Sequence, residues 1–300
     1  MSESMPKMPV VRFALFSILA FMGLSAAIAQ VDQAVDFATV GQPLYPGATV
    51  PARVPAVLRL PAGDGPFPAV VIVHGSSGVD GRGAALAEEL RQAGIASLEL
   101  DMWKPRGLTG GTESRPRIIS DTLPDAWGAW AYLAADSRMD PKRIGIAGFS
   151  WGGAVTWITA FGLKPLNAPA HIKEARFAAH VPFYGGCSSY LPSGKGGKAL
   201  ATLGAKPTGA AMLYVIGAKD DYELSPSACL DLAKAYPEFA MRVRLVEGAT
   251  HAFDGPEYGR YHDPLARDAT GGHILVRSDP EAARVVRQEV AAFFRSALGR

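Results

Sequence analysis

The chain is short of the features that mark several large classes of protein. It has no charge excess: 30 basic residues stand against 28 acidic ones in 300, a net charge of +2. Binding to a nucleic-acid backbone needs basic residues in surplus, so no nucleic-acid partner is expected. Cysteine is scarce, with only Cys187 and Cys229. Two cysteines supply neither a stapled mini-scaffold nor a four-ligand zinc site, and leave one bridge or two free thiols as the options. Glycine (33) and proline (23) are well represented but follow no period, which excludes collagen-like and repeat architectures. Charged residues make up 19% and hydrophobic residues 48%, a globular balance that excludes disorder as a description of the whole chain.

The amino-terminal segment is the least like the rest. Lys7 and Arg12 precede an uncharged apolar run from Phe13 to Leu24, and small residues follow at Ser25, Ala26, Ala27 and Ala29. The run is short for crossing ~30 Å of hydrocarbon. Ala27 and Ala29 have the small side chains that signal peptidase requires, so residues 1–29 are expected to be a removed secretory signal, leaving no stable membrane anchor. A mature chain from Gln30 to Arg300 would then be periplasmic or secreted, where a Cys187–Cys229 disulfide can persist, and such a bridge is expected.

Beyond that segment, strands and helices alternate. Strands are expected at Val54–Leu60, Ala69–Val73, Ile95–Leu100, Arg143–Ala147, Ala178–Tyr184, Met212–Ile216 and, as the last of them, Val243–Val246. Helices are expected at Ala84–Ala93, Ser120–Arg138, Ala154–Leu163, from Ser225-Pro226 to Pro237, and from Asp279-Pro280 onward. This alternation predicts a single α/β domain over residues 30–300, a mostly parallel central sheet with helices on both faces. The polar stretches Lys104–Arg117, Ser188–Thr208 and Gly255–Gly272 are read as surface loops, and loops of that length are usually functional. Chemistry in such a sheet sits at the carboxyl ends of the strands.

Three segments carry that chemistry. Gly148-Phe-Ser150-Trp-Gly152 follows an expected strand and opens an expected helix, the context in which G-x-S-x-G lifts a serine above the sheet. The Trp151 N–H would then lie at a helix N-terminus, aimed at a developing oxyanion. His251 follows the last expected strand, where a base can reach Ser150. Gly217-Ala-Lys-Asp220-Asp221 follows the strand before it and offers a carboxylate to hold the far nitrogen of the histidine. Asp220 lies closer to the apolar strand and is the expected acid, with Asp221 the alternative. A fourth segment, Val73-His74-Gly75-Ser76-Ser77-Gly78, is a turn able to supply a second oxyanion N–H, from Ser76, with His74 beside it in a structural hydrogen-bonding role. Arg106 is expected either at the mouth of the pocket, against a substrate carboxylate, or as a solvated loop arginine. His251, His262 and His273 recur at even spacing, but no carboxylate-rich cluster accompanies them and no metal site is assigned.

Gly148-Phe-Ser-Trp-Gly-Gly153, Gly217-x-x-Asp220-Asp221 and Ala249-Thr-His251-Ala-Phe-Asp254 together resemble the dienelactone hydrolase family of α/β-hydrolases, as do Asp101-Met-Trp-Lys-Pro-Arg106-Gly107 and the lead-in Asp140-Pro-Lys-Arg143. The resemblance runs from about Val54 to the C-terminal helix. It implies the α/β-hydrolase fold, with Ser150 as nucleophile, Asp220 as acid and His251 as base. The family's namesake enzymes use cysteine where this chain has Ser150, so the resemblance carries fold and mechanism rather than a substrate. The expected activity is hydrolysis of a small-molecule ester or lactone through an acyl-enzyme, with Ser76 and Trp151 as oxyanion donors and no cofactor or metal. The same triad also serves peptidases and acyltransferases, and a non-catalytic binding protein on a hydrolase scaffold is the alternative outside enzymes.

Overall fold

The computed structural model describes residues 1, 32–45, 49–225, 227–256, 258–263, 266 and 271–299. The expected secretory signal lies outside the described residues. Among the described residues, eight strands form one sheet: β1 (Gln33–Ala38), β2 (Arg53–Arg59), β3 (Phe67–Val73), β4 (Ala96–Leu100), β5 (Met139–Phe149), β6 (Ala179–Phe183), β7 (Ala211–Lys219) and β8 (Arg242–Thr250). Their spatial order is β1-β2-β4-β3-β5-β6-β7-β8. β1 and β2 pair antiparallel at one edge, β2 meets β4 antiparallel, and every pairing from β4 to β8 is parallel. This is the mostly parallel, mixed sheet of the α/β-hydrolase fold.

The central strands read as unbroken apolar runs because both faces are covered. Ala69 to Val73 in β3 are all fully buried, whereas β2 at the antiparallel edge alternates, burying Val54, Ala56 and Leu58. Among the described residues, eight helices accompany the sheet: α1 (Arg82–Gln92), α2 (Leu123–Ala135), α3 (Trp151–Ala160), α4 (Ala170–Lys173), α5 (Cys187–Tyr190), α6 (Lys195–Thr202), α7 (Ala228–Ala235) and α8 (Pro280–Leu298). Helices α1 and α8 pack together, and α2 packs against α3. Two glycines of β5 show how closely these layers approach the sheet. A Cβ on Gly145 would run into the Phe294 ring of α8, and one on Gly148 into Thr156 of α3. Residues three apart on a strand face opposite ways, so the two helix layers lie on opposite faces. Asp279 caps α8, its carboxylate accepting from the Ala282 N–H at 3.0 Å.

The differences from the expected elements have local causes. β1 precedes the first expected strand; its sequence Gln-Ala-Val-Asp-Phe-Ala mixes polar and small residues and buries only Phe37, so it carries little apolar signal. The expected helix over Ser120–Arg138 is a 3₁₀ turn at Ile119–Thr122 followed by α2, which starts where Pro124 can occupy the first helical turn. The stretch Ser188–Thr208, expected as loop, contains α6 and most of α5. Glycines masked them, and the structure needs those glycines: a Cβ on Gly197 would strike the Leu191 carbonyl. Val243–Val246 lies in β8 but is not the last strand. A separate hairpin follows, β9 (Tyr258–His262) with β10 (His273–Arg277). β9 is mostly exposed and pairs only with β10, so it has no apolar alternation to betray it. A disulfide joins Cys187 at the start of α5 to Cys229 in α7, with Cα atoms 5.0 Å apart.

Candidate active site

β3, β5, β7 and β8 run parallel, so the segments that follow them emerge along one edge of the sheet. Ser150 leaves β5 with φ +48°, a conformation a serine adopts only under constraint from its surroundings. The turn is closed by backbone packing: a Cβ on Gly152 would collide with the Val73 carbonyl, and one on Gly148 with the Gly152 carbonyl. Glycine at both positions is therefore a steric requirement of this elbow. The Ser150 N–H donates to the Phe183 carbonyl at 3.0 Å, which fixes the elbow to β6.

His251 stands one residue beyond β8 and is 4% exposed. Its Nε2 lies 3.0 Å from Ser150 Oγ and its Nδ1 lies 2.8 Å from Asp220 Oδ2. A carboxylate only accepts, so Nδ1 carries the proton and Nε2 is left to accept from the serine hydroxyl. The imidazole is held between the rings of Tyr222 and Tyr184, with centroids at 4.3 and 4.8 Å. Asp220 is buried, and its second oxygen accepts the Tyr222 N–H at 2.9 Å. Asp221 faces elsewhere and accepts the Leu275 N–H of β10.

Trp151 follows Ser150 directly in the chain, and Ser76 lines the same cleft as Ser150. The Trp151 N–H belongs to the first residue of α3 and so has no partner within the helix. Its indole donates to Thr122 Oγ1 at 3.0 Å and packs edge-on against Trp103. Gly75 lies against Ser150, with space for a Cβ only 3.6 Å from the serine Cβ. His74 bridges Gly75 and the Met102 N–H: Nδ1 lies 2.8 Å from the Gly75 carbonyl and Nε2 accepts from Met102. Burial holds the His74 imidazole below the usual histidine range, in keeping with a neutral, structural ring.

Arg106 is not at the mouth of the cleft, which corrects the sequence expectation. Its guanidinium forks onto the fully buried Asp125 at 2.6 and 3.1 Å and also reaches the carbonyls of Met102 and Asp121. Burial raises the Asp125 carboxyl, to about 6, against the pull of Arg106. Such an arginine braces the 3₁₀ turn Lys104–Arg106 against α2 and is not presented to a ligand. Two arginines line the cleft, Arg82 and Arg115; sequence reading singled out neither, and the one held by an acid far along the chain is Arg115. It lies in one of the long polar stretches, the only signal available. Nothing in the sequence pairs it with Asp263, nearly 150 positions away.

The cleft over Ser150 and His251 has a volume of about 280 Å³; polar residues such as Ser76, Thr112, Arg115, Tyr222 and Asp263 line it, although the surface it exposes is more apolar than polar. Beside His251, the Tyr184 hydroxyl donates to half-buried Asp254 at 2.5 Å, and desolvation pushes the Asp254 carboxyl up. The evenly spaced histidines do not converge. His262 and His273 are cross-strand partners in the β9–β10 hairpin, while both nitrogens of His251 are engaged with Ser150 and Asp220. Among the described residues, one group of potential metal ligands draws together, Cys187, Glu223 and Cys229, and its two sulfurs are joined in the disulfide.

With this geometry in view, comparison with known proteins places the chain. The sequence model of the dienelactone hydrolase family matches residues 54–298. The chain belongs to the dienelactone hydrolase family. A candidate carboxymethylenebutenolidase of Methylorubrum extorquens is 28% identical over 151 residues, 46% of this chain and 52% of that relative, so the match spans about half the relative's length. Two solved structures share the fold of this dienelactone hydrolase family member. A thermophilic esterase from Thermogutta terrifontis with butyrate bound has 19% identity and a TM-score of 0.58, covering 84% of this chain and 92% of its own. Est1E from Butyrivibrio proteoclasticus with ferulic acid bound has 16% identity and a TM-score of 0.54, covering 83% and 96%.

Proposed function

We propose that this family member is an exported serine hydrolase that cleaves a small carboxylic ester or lactone through an acyl-enzyme. The observation that carries the reading is the continuous hydrogen-bonded line from Ser150 Oγ through His251 to Asp220, at 3.0 and 2.8 Å. His251 takes the Ser150 proton as the hydroxyl oxygen bonds to the carbonyl carbon. The Trp151 and Ser76 N–H groups stabilise the oxyanion that forms. The tetrahedral adduct collapses, the C–O bond to the alcohol breaks, and His251 returns the proton to the departing oxygen. A water deprotonated by His251 then attacks the acyl carbon, and Ser150 leaves with its proton restored. Asp220 stays ionised and balances the imidazolium. The small cleft favours compact substrates, in line with the butyrate and ferulic acid held by the two structural relatives. Export rests on the amino-terminal segment alone.

The test is a panel of aryl esters of graded acyl length, plus lactones, assayed with wild type and Ser150→Ala. The expected result is turnover by wild type, strongest on short acyl chains, and a loss of several orders of magnitude in the variant. Retained turnover in Ser150→Ala would remove Ser150 as nucleophile. Inertness of wild type, with no labelling by a fluorophosphonate, would favour a binding protein.

A further inference from the structure

Resting on that hydrolase reading, the structure reveals a second line of hydrogen bonds across the cleft, which meets the triad at Asp220. The Tyr222 hydroxyl donates to Asp263 Oδ2 at 2.6 Å. Arg115 Nη2 reaches the same carboxylate at 3.0 and 3.2 Å, and Arg115 Nη1 donates to Ser76 Oγ at 2.9 Å. The Tyr222 N–H is itself bonded to Asp220. The line therefore runs from the acid of the triad to the turn that offers the second oxyanion donor.

Each link is built rather than incidental. Asp263 is fully buried at the end of β9, its own N–H donating to the Gly272 carbonyl at 2.8 Å. Arg115 is 9% exposed in its side chain although it lines the cleft. The Ser76 turn is gripped from the same segment at further points: the Trp103 indole donates to the Ser76 carbonyl at 2.9 Å and the Gly111 N–H to the same oxygen at 2.8 Å. Gly110 packs so closely that a Cβ there would press on the Ser76 and Ser77 carbonyls. Of these grips, Arg115 alone ties the turn to the hairpin and, through Tyr222, to the Asp220 loop.

We propose that Arg115 is a positioning residue that holds the Ser76 turn in register with the triad. An oxyanion donor acts only when it stands about 2.7–3.1 Å from the developing charge, and a displacement of about 1 Å costs on the order of a hundredfold in rate. The guanidinium suits the task because its rigid fork spans a hydroxyl and a carboxylate at once, which a lysine ammonium does not reproduce. With its charge matched by Asp263, Arg115 acts on the turn and not as a substrate anchor.

The experiment compares wild type with Arg115→Gln, Arg115→Lys and Ser76→Ala on an aryl acetate and an aryl butyrate, with kcat and KM resolved separately. Active sites are counted by the end point of fluorophosphonate labelling. The expected result for Arg115→Gln is a fall in kcat of roughly 10- to 100-fold, by the same factor on both esters, with KM within about threefold of wild type. Labelling should still reach one per chain but at a lower rate, an outcome that loss of folded protein does not produce. Arg115→Lys should not restore kcat. Ser76→Ala removes only the hydroxyl grip and should lower kcat in the same pattern, which keeps the inference testable if an arginine variant fails to fold. Unchanged kcat, a rise in KM alone, or full rescue by lysine would overturn it. A wild type that neither labels nor turns over esters would overturn the hydrolase reading, and this inference with it.

Discussion

Asp221 and Leu275 are joined by a hydrogen bond of 2.8 Å from the Leu275 N–H to Asp221 Oδ2. The second aspartate of the pair thus anchors β10 to the loop after β7, while the first, Asp220, faces His251 at 2.8 Å. Adjacent carboxylates are committed to different partners. Asp220→Asn should cut kcat by about a thousandfold or more with the fold intact, because an amide can donate to Nδ1 and so favours the wrong tautomer. Asp221→Asn should lower kcat far less. Steady-state kinetics alongside circular dichroism decide this, and reversed losses would exchange the two roles.

Arg106→Met should destabilise the protein without a specific effect on substrate binding. It strips the partner from Asp125, which is completely buried. Removing one member of a buried pair typically costs about 3–5 kcal/mol. Denaturant unfolding should show that loss, while KM of the folded fraction stays at the wild-type value. A raised KM with unchanged stability would return Arg106 to the substrate.

His180 predicts an acid-sensitive stability. It is fully buried on β6, neither ring nitrogen has a hydrogen-bond partner, and burial, reinforced by Lys164, pushes its pKa down to about 3. As pH falls below about 6.5 the unfolded chain takes up a proton that the folded ring refuses, so stability drops with acidification until about pH 3. Between pH 8 and 5 this one residue should remove about 2 kcal/mol. His180→Leu should flatten that part of the profile in urea titrations, and an equally steep loss in the variant would assign the effect to other groups.

The Cys187–Cys229 bridge closes a loop with a sequence separation of 42, for which chain entropy gives about 4 kcal/mol. Cys229→Ser should therefore lower Tm by several degrees. The bridge ties α5 to α7, and between them Glu223 accepts from the Cys187 and Ser188 N–H groups at 2.6 and 2.7 Å, three residues beyond Asp220. Calorimetry of the variant and of the reduced wild type should agree, and an unchanged Tm in both would show that the bridge contributes nothing to stability.

What the sequence determined by itself follows from local rules. Continuous apolar runs such as Ala69–Val73 reveal strands buried on both faces, and the glycines at 148 and 152 reveal an elbow too tight for a side chain. Strand ends mark where Ser150, Asp220 and His251 emerge, because parallel strands deliver their carboxyl ends to one edge. Tertiary structure alone decided what those rules do not reach. β9 carries no apolar pattern of its own and is placed by pairing with β10, whose Ile274 and Val276 are buried. Arg106 and Arg115 are both arginines in one polar stretch, and only packing sends the first to buried Asp125 and the second to the cleft. The partner of Arg115, Asp263, is 148 positions away, and such a pair is set by how distant segments meet, which no periodicity or spacing along the chain encodes.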